Sequence, residues 1–173
     1  EVIIMSDKNG KKGKEKKLRT NAMRMLDAAK IPYEELEYEV DEDDLSGVHI
    51  AKELNFPPER MFKTLVAKGD KTGVVVLCIP VAEEIDLKVA AAVTGNKRIE
   101  LIPVKDLLGL TGYIRGGCSP IGMKKKYPTW FDESVRNFDR VTVSAGVRGA
   151  QLLLDADKLL AFTDASVAAL IRR

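Results

Sequence analysis

The residues best suited to chemistry lie between Thr111 and Thr129, in the segment TGYIRGGCSPIGMKKKYPT. Three glycines, Gly116, Gly117 and Gly122, surround a Cys-Ser-Pro step. Glycine permits positive φ and lets a ligand approach the backbone, so this glycine loop can turn several N–H groups towards one point. Such groups would bind a carbonyl oxygen or an anion. Composition alone favours the alternative, an ordinary turn between two strands.

A lysine inside an apolar strand is the second candidate. The segment MFKTLVA, residues 61–67, predicts a strand on which Lys63 shares a face with Met61 and Leu65. A lysine in that place marks a sheet edge, extends to solvent or lines a ligand pocket. The residues alone favour an edge or a solvent-facing lysine.

The sequence offers few residues for nucleophilic or metal chemistry. His49 is the single histidine, and Cys78 and Cys118 are the two cysteines. Nothing in the sequence brings His49 to Cys118 or Ser119, and these residues are too few and too scattered for a zinc site. We therefore expect no metal and no cofactor. An enzyme with this sequence would orient its substrate and stabilise charge, without a strong protein nucleophile.

Length and composition are typical of one soluble domain. The chain has 173 residues, of which 45% are hydrophobic and 31% charged. No apolar run approaches the roughly 20 residues that cross a bilayer, and no targeting segment is expected. Two cysteines give no disulfide framework, so we expect a cytoplasmic, reducing environment.

Charge is divided unevenly along the chain. Residues 1–17 carry six lysines against three carboxylates, which predicts a disordered basic arm outside a folded domain over residues 18–173. Residues 34–44 carry eight carboxylates and no base, whereas residues 115–126 carry four bases and no acid. The basic rim beside the glycine loop is therefore local.

The pattern of elements predicts an α+β domain with a mixed sheet. Thr20, Ser46, Asp86 and Asp164 are placed as helix N-caps, the last for a terminal helix containing VAALI. The first helix would bury Ala22, Met25, Leu26 and Ala29. Strands are predicted over residues 36–40, 61–67, 74–80, 98–102, 130–131, 140–144 and 151–154.

Four segments together resemble one family. They are FKTLVAK (Phe62–Lys68), IPVAEEIDLKVAA (Ile79–Ala91), the glycine loop with its flanks, and VSAGVRG (Val143–Gly149). In this order and spacing they are similar to the YbaK/EbsC family of freestanding aminoacyl-tRNA deacylases. That family is related to the editing domain inserted in bacterial prolyl-tRNA synthetases. The likeness runs from about residue 18 to the end of the chain.

The resemblance implies a fold and an activity. The fold is a single domain with a curved mixed sheet, partly barrel-like, surrounded by helices. The activity is removal of cysteine from mischarged Cys-tRNA(Pro), and Cys-tRNA(Cys) is a further substrate of the family. In the Cys-specific members the substrate's own thiol attacks its ester carbonyl and releases a cyclic thiolactone, which fits the missing base.

The resemblance also assigns residues. The pocket lysine falls on Lys63, followed by Thr64, which reverses the edge interpretation. The G-x-x-x-P loop falls on Gly116–Pro120 and the pocket serine on Ser144. We hypothesise that the oxyanion is held by N–H groups of the loop, those of Gly116, Gly117, Cys118 and Ser119. Lys63 would hold the terminal ribose or phosphate. The pocket would be shaped by Tyr38, Pro120 and Ser144. Lys124, Lys125 and Lys126 would meet the acceptor stem. The expected partners are aminoacyl-tRNA(Pro) and prolyl-tRNA synthetase, with no membrane.

Two departures leave alternatives open. Ser46 stands where better-known members have an aromatic residue, and Gln151 stands where they have a carboxylate. Both positions lie near the amino-acid end, so hydrolysis of Ala-tRNA(Pro) through a bound water is one alternative. A non-catalytic tRNA- or synthetase-binding module is the other. Cys118 is either a nucleophile or a small space-filling thiol, and the absence of a nearby histidine favours the second.

Overall fold

The structure is a computed structural model that describes the backbone of residues 2–6 and 12–17, and residues 19–173 in full. Its strands are β1 (Val2–Ser6), β2 (Lys12–Lys17), β3 (Tyr33–Glu37), β4 (Phe62–Gly69), β5 (Gly73–Pro80), β6 (Ile99–Leu101), β7 (Thr129–Asp132), β8 (Arg140–Ser144), β9 (Ala150–Asp155) and β10 (Ser166–Ala168). Its α-helices are α1 (Asn21–Ala28), α2 (Gly47–Glu53), α3 (Leu87–Thr94), α4 (Val104–Thr111) and α5 (Ala156–Phe162). Short 3-10 helices cover Pro58–Arg60 and Glu133–Asn137.

A five-stranded sheet in the order β10-β7-β5-β4-β6 contains the strand that carries Lys63. Strands β4 and β5 form an antiparallel hairpin, while β7 runs parallel to β5 and β10 parallel to β7. β5 is apolar on both faces because each face meets a different core. Val76 and Cys78 belong to the core beneath α1 and α5, whereas Leu77 and Ile79 pack with Ala90 of α3. The central position predicted for this strand is confirmed.

A second sheet of three antiparallel strands, in the order β3-β9-β8, packs beside the first. A parallel bridge between Met61 and Thr142 joins the two sheets at the start of β4. The single α+β domain with a mixed sheet is confirmed, but the partly barrel-like closure is not found in residues 19–173, where the sheets stay open. The bridge brings the first residues of β4 next to the last residues of β8.

Local hydrogen bonds set the helix starts that the sequence predicts. Thr20, Ser46 and Asp86 each accept from an N–H in the first turn of the helix that follows, as N-caps do. The predicted buried face of α1 is partly wrong. Met23 is buried instead of Met25, which is 39% exposed, and Ala29 is exposed at the C-cap of the helix.

The C-terminal helix predicted after Asp164 is wrong. Residues Ser166–Ala168 form β10, and Val167 pairs with Phe131 of β7. The helix in this region is α5, which the sequence analysis missed and which Asp155 caps by accepting from the Lys158 N–H. A free strand edge on β7 pairs with this segment, and that long-range pairing outweighs its local preference for helix.

The N-terminal stretch is a separate case. β1 and β2 pair antiparallel through residues such as Ile3 and Lys16. The predicted disordered arm over residues 1–17 falls partly outside the described residues, so it stays a prediction, as does the domain boundary at residue 18. None of the described helices has the length and apolarity that a membrane span requires.

Candidate active site

A cleft of about 740 Å³ lies beside β4, within the range of small-molecule sites. Seven of the residues predicted for the site line it: Ser46, Lys63, Thr64, Gly116, Cys118, Ser144 and Gln151. They come from the start of α2, from β4, from the glycine loop and from β8 and β9. The fold therefore brings the lysine-bearing strand and the glycine loop to one cavity.

Lys63 owes its position to the register of β4. Lys63 pairs with Ile79 across the hairpin and Thr64 with Cys78, which fixes the face that each side chain occupies. Lys63 is half-buried, and this burial lowers the pKa of its ammonium, while the carboxylates of Glu84 and Glu83 act in the opposite direction. A partly desolvated cation in a cleft attracts an anionic or electron-rich group.

The glycine loop packs against the turn that follows β8. Gly116 has φ of 86°, and a Cβ at residue 117 would lie 3.0 Å from the carbonyl carbon of Val147, so only glycine fits there without a shift. The Gly117 N–H donates to the Ile114 carbonyl at 3.0 Å and is therefore already used. The N–H groups of Gly116 and Cys118 have no acceptor within residues 19–173.

Tyr113, which no sequence motif predicted as part of the site, holds this loop together. Its hydroxyl donates to the Ile121 carbonyl at 2.6 Å. A Cβ on Gly122 would lie 2.7 Å from the Tyr113 hydroxyl oxygen, and a Cβ on Gly146 would lie 2.7 Å from its ring. Both glycines have positive φ, which already favours glycine. The Tyr113 side chain in addition leaves no room for a Cβ at either position. No local pattern signals such a contact.

The start of α1 anchors the same two segments. Thr20 donates its hydroxyl to the Ala145 carbonyl at 2.6 Å, and Asn21 donates its side-chain amide to the Gly122 carbonyl at 2.9 Å. The N-cap of the first helix is thus also a contact of the site. The cap was predicted, whereas its second role was not.

Neither cysteine is poised as a nucleophile. Burial raises the pKa of Cys118 to about 12, although Thr111 acts in the opposite direction, and burial also raises the pKa of Cys78. Both thiols are therefore protonated at neutral pH, when a nucleophilic cysteine would need to be a thiolate. This supports the space-filling interpretation of Cys118.

His49 lies outside the cleft lining. Its ring nitrogens are 3.7–3.8 Å from carboxylate oxygens of Asp41, Asp44 and Glu53. The described residues contain no group of three or more side chains arranged to hold a metal ion. The cleft lining therefore contains neither a Cys-His pair nor a Ser-His pair.

Seven of the predicted residues do not line the cleft: four that were expected at the pocket and the three lysines after the glycine loop. Tyr38 packs against Ile50, Met61 and Val81, and burial raises the pKa of its hydroxyl. Gly117 is buried in the loop, and the Ser119 hydroxyl is fully buried and accepts from the Ile121 N–H at 3.3 Å. The fourth, Pro120, lines a second pocket of about 260 Å³. Roles for these residues in binding or catalysis stay predictions.

Lys124, Lys125 and Lys126 are exposed after the glycine loop. Lys125 and Lys126 line the second pocket, and the Lys126 ammonium is 3.7 Å from a carboxylate oxygen of Asp164. Their contact with tRNA stays a prediction.

The cleft has two further features that were not predicted from the sequence. Asp43 and Asp44 lie on its lining together with the cations of Lys63 and Arg115, so the cavity carries both signs of charge. A run of apolar side chains forms another part of the wall: Leu101, Ile102, Val104 and Leu107. The cleft can therefore take a ligand with a cationic end, an anionic end and a flat or apolar portion.

The comparisons with known proteins identify the family of the chain. Residues 46–162, more than half of the chain, match the family model described as "Aminoacyl-tRNA editing domain", so the chain belongs to that family. It is 48% identical over 150 residues to "Putative Cys-tRNA(Pro)/Cys-tRNA(Cys) deacylase EbsC" of Enterococcus faecalis (strain ATCC 700802 / V583). That match covers 87% of this chain and 92% of the relative.

Solved structures share the fold. One described as "a putative trans-editing enzyme for prolyl tRNA synthetase" has a TM-score of 0.76 and 23% identity, covering 91% of this chain and 100% of that one. A hypothetical protein gives a TM-score of 0.80 and 20% identity, covering 88% of this chain and 100% of that one. The family resemblance inferred from the four sequence segments is confirmed.

Proposed function

We propose that this chain is an aminoacyl-tRNA deacylase that removes cysteine from Cys-tRNA(Pro) and from Cys-tRNA(Cys). The observation that carries the proposal is a cleft that joins Lys63, Thr64, Gly116 and Ser144 and contains no activated protein nucleophile. The 48% identical relative supports cysteine as the amino acid. Such a cleft suits a substrate that brings its own nucleophile.

The charges of the cleft complement a cysteinylated tRNA end. The α-ammonium of the amino acid is a cation, and the phosphodiester before the terminal nucleoside is an anion. Asp43 and Asp44 provide the negative part of the lining, while Lys63 and Arg115 provide the positive part. In this proposal Lys63 binds the terminal ribose or its phosphate, and the apolar wall contacts the adenine base. The ester then lies between them, beside the glycine loop.

The reaction follows from this placement. The substrate sulfur attacks the ester carbonyl carbon, forming a C–S bond, and the C–O bond to the ribose breaks. The thiol proton ends on the ribose oxygen, so the products are a cyclic thiolactone and tRNA with a free hydroxyl. Because the nucleophile is intramolecular, correct folding of the aminoacyl group is worth up to roughly 7–11 kcal/mol. The N–H groups of Gly116 and Cys118 are the donors for the oxyanion, each worth about 3 kcal/mol.

The wider partners follow from the same substrate. Lys124–Lys126 would contact the acceptor-stem backbone, and prolyl-tRNA synthetase would be the source of the mischarged tRNA and a second partner. The cytoplasmic location expected from the sequence goes with this proposal, because aminoacyl-tRNAs are made and used there.

A deacylation panel tests the proposal. Cys-, Ser- and Ala-tRNA(Pro) and Cys-tRNA(Cys) are offered in parallel, with S-methylcysteinyl-tRNA(Pro) as the matched control for the thiol. We expect release from both cysteinyl substrates and none from the S-methyl substrate. Equal release from the S-methyl substrate, or faster release from Ala-tRNA(Pro), would establish water-mediated hydrolysis instead. Tight tRNA binding without release of any amino acid would indicate a binding module.

A further inference from the structure

Two buried polar side chains stand next to each other on the cleft lining. Ser144 of β8 and Gln151 of β9 are directly paired across the antiparallel ladder, so their side chains lie on the same face of the sheet. They are only 7% and 6% exposed, yet both line the cleft. Most buried polar atoms have at least one hydrogen-bond partner, so a donor on such a residue that has none and faces a cleft is available to a ligand.

The acceptor side of Gln151 is already occupied. The Thr142 hydroxyl donates to its Oε1 atom at 3.2 Å. Thr142 is fully buried, and its hydroxyl proton has no other acceptor in residues 19–173. Rotating the Gln151 amide by 180° would leave that proton without a partner, which costs about 1–3 kcal/mol. The Nε2 group therefore points away from Thr142, and it too has no acceptor in the described part of the chain.

Ser144 shows the same arrangement. Its Oγ atom accepts from the Gly146 N–H at 3.1 Å, and its own proton has no acceptor within residues 19–173. Ser144 and Gln151 thus each use an oxygen internally and each keep an N–H or O–H for the cleft. Neither carries a charge. The two together form a neutral donor pair.

We infer that this donor pair selects the side chain of the bound amino acid by donating to its sulfur or oxygen. This inference rests on the proposed function, since it assumes an aminoacyl group in the cleft. A cysteine or serine side chain offers lone pairs to both donors, whereas the methyl group of alanine offers none and leaves them desolvated and unpaired. A site built to hydrogen-bond a substrate group discriminates strongly against an analogue that lacks it. The α-ammonium has no lone pair and is not held there.

Binding of uncleavable analogues tests the inference apart from the chemistry. Adenosines that carry cysteine, serine or alanine through a 3′-amide are titrated against the intact protein. We expect the cysteinyl and seryl analogues to bind at least about tenfold more tightly than the alanyl analogue, because one or two donors stay unpaired in the alanyl complex. Gln151→Leu and Ser144→Ala should each reduce this ratio towards one, and alanyl binding should stay equal or tighten. Ser166→Ala, on the exposed edge strand β10, is the matched control and should keep the wild-type ratio.

The outcomes separate this inference from the proposed function. Equal binding of the three analogues by the wild type would overturn the inference even if the enzyme deacylates Cys-tRNA(Pro). Selective binding without any deacylation would leave the donor pair standing and remove the proposed function. An equal loss for all three analogues in both variants would place the shared amide linkage or ammonium, not the side chain, against the pair and would also overturn the inference. Thermal unfolding identifies a misfolded variant. If Gln151→Leu does not fold, the binding ratio of Ser144→Ala alone tests the inference.

Discussion

The hydroxyl of Tyr113 lies 2.6 Å from the carbonyl oxygen of Ile121, eight positions further along the chain. This hydrogen bond from a buried side chain therefore joins the two residues that flank Gly116–Pro120 in the glycine loop. The same ring lies against Gly146, in the turn that follows β8. Gly116 lies in the loop and Ser144 immediately precedes this turn, and both line the cleft, so Tyr113 contacts both segments that carry them.

Replacing Tyr113 by phenylalanine should therefore lower both stability and activity. The Ile121 carbonyl loses its donor inside the protein, which should cost about 1–2 kcal/mol and lower Tm by a few degrees. Tyr127→Phe is the matched control, since it removes a similar hydrogen bond, from the Tyr127 hydroxyl to the Leu110 carbonyl. Neither Tyr127 nor Leu110 lines the cleft. We expect a similar loss of Tm for Tyr127→Phe with near-normal deacylation. If the two variants deacylated Cys-tRNA(Pro) equally well, the role of Tyr113 in the site would be refuted.

Gly146→Ala should destabilise the protein much more than Gly73→Ala. Both residues have positive φ, 93° and 75°, so each alanine has a backbone cost of about 1–2 kcal/mol. A Cβ on residue 146 would also lie 2.7 Å from the Tyr113 ring, whereas a Cβ on residue 73 would meet no atom within 4 Å. Chemical denaturation measures the difference between the two free energies of unfolding. Equal losses would show that the ring moves aside at no cost.

These two contacts show why part of the site could not be predicted from the sequence. The caps Thr20, Ser46 and Asp86 were found because the bonds that define them join residues two or three apart. The contact between Tyr113 and Gly146 joins residues that no periodic pattern connects. The same reason explains the wrong C-terminal helix, where pairing of Val167 with Phe131 depends on a strand edge elsewhere in the chain.

The site residues divide in the same way. Lys63 and the glycine loop were recognised only through the family motifs, because their residue types alone also fit a sheet edge and an ordinary turn. The apolar wall that includes Val104 and the acidic residue Asp43 were not recognised as parts of the site. Each has the sequence of an ordinary surface segment, and only the fold places it on the cleft lining. The engaged Gly117 N–H could not be predicted either, because its partner depends on the conformation of the loop.

Cys118→Ala should retain most of the deacylase activity, within about threefold of the wild type. Its pKa of about 12 leaves a protonated thiol at neutral pH, so it is not a nucleophile.

The raised pKa of Cys118 also affects the pH dependence of stability. The folded chain keeps this proton at pH values where the unfolded chain, with an ordinary pKa near 9.0, releases it. Stability should therefore fall as the pH rises from about 9 towards 12.

Thermal unfolding of the wild type and of Cys118→Ala over this pH range checks the linkage. The variant lacks the titrating group, so its Tm should decline less steeply between pH 9 and 11. Tyr113, whose pKa burial also raises to about 12, contributes a decline that both proteins share. Parallel curves for the two proteins would contradict the burial of the Cys118 thiol, and complete loss of deacylation in the variant would restore Cys118 as a nucleophile.

Lys63→Ala should abolish measurable deacylation, whereas Lys68→Ala should not. Both lysines are on β4, but Lys63 lines the cleft and Lys68 is exposed outside its lining. If Lys63 binds the terminal ribose or phosphate, the alanine variant should also bind an uncleavable cysteinyl-adenosine 5′-phosphate more weakly. Single-turnover deacylation and titration of that analogue measure the two effects. Near-normal turnover in Lys63→Ala would exclude it from the site.

Simultaneous replacement of Lys124, Lys125 and Lys126 by alanine should weaken tRNA binding and make it less dependent on salt. Each lysine that neutralises a phosphate releases bound cations, and its loss should reduce the slope of log K against log[salt] by about 0.7–0.9. The matched control replaces Lys68, Lys71 and Lys97, three exposed lysines outside the cleft lining, and keeps the same net charge change. We expect an unchanged Kd for the uncleavable cysteinyl-adenosine in both triple variants, since this small ligand does not reach the acceptor-stem contacts. If the two triple variants showed the same salt slope for tRNA, the lysine run would contribute only to overall charge and would not be a tRNA contact.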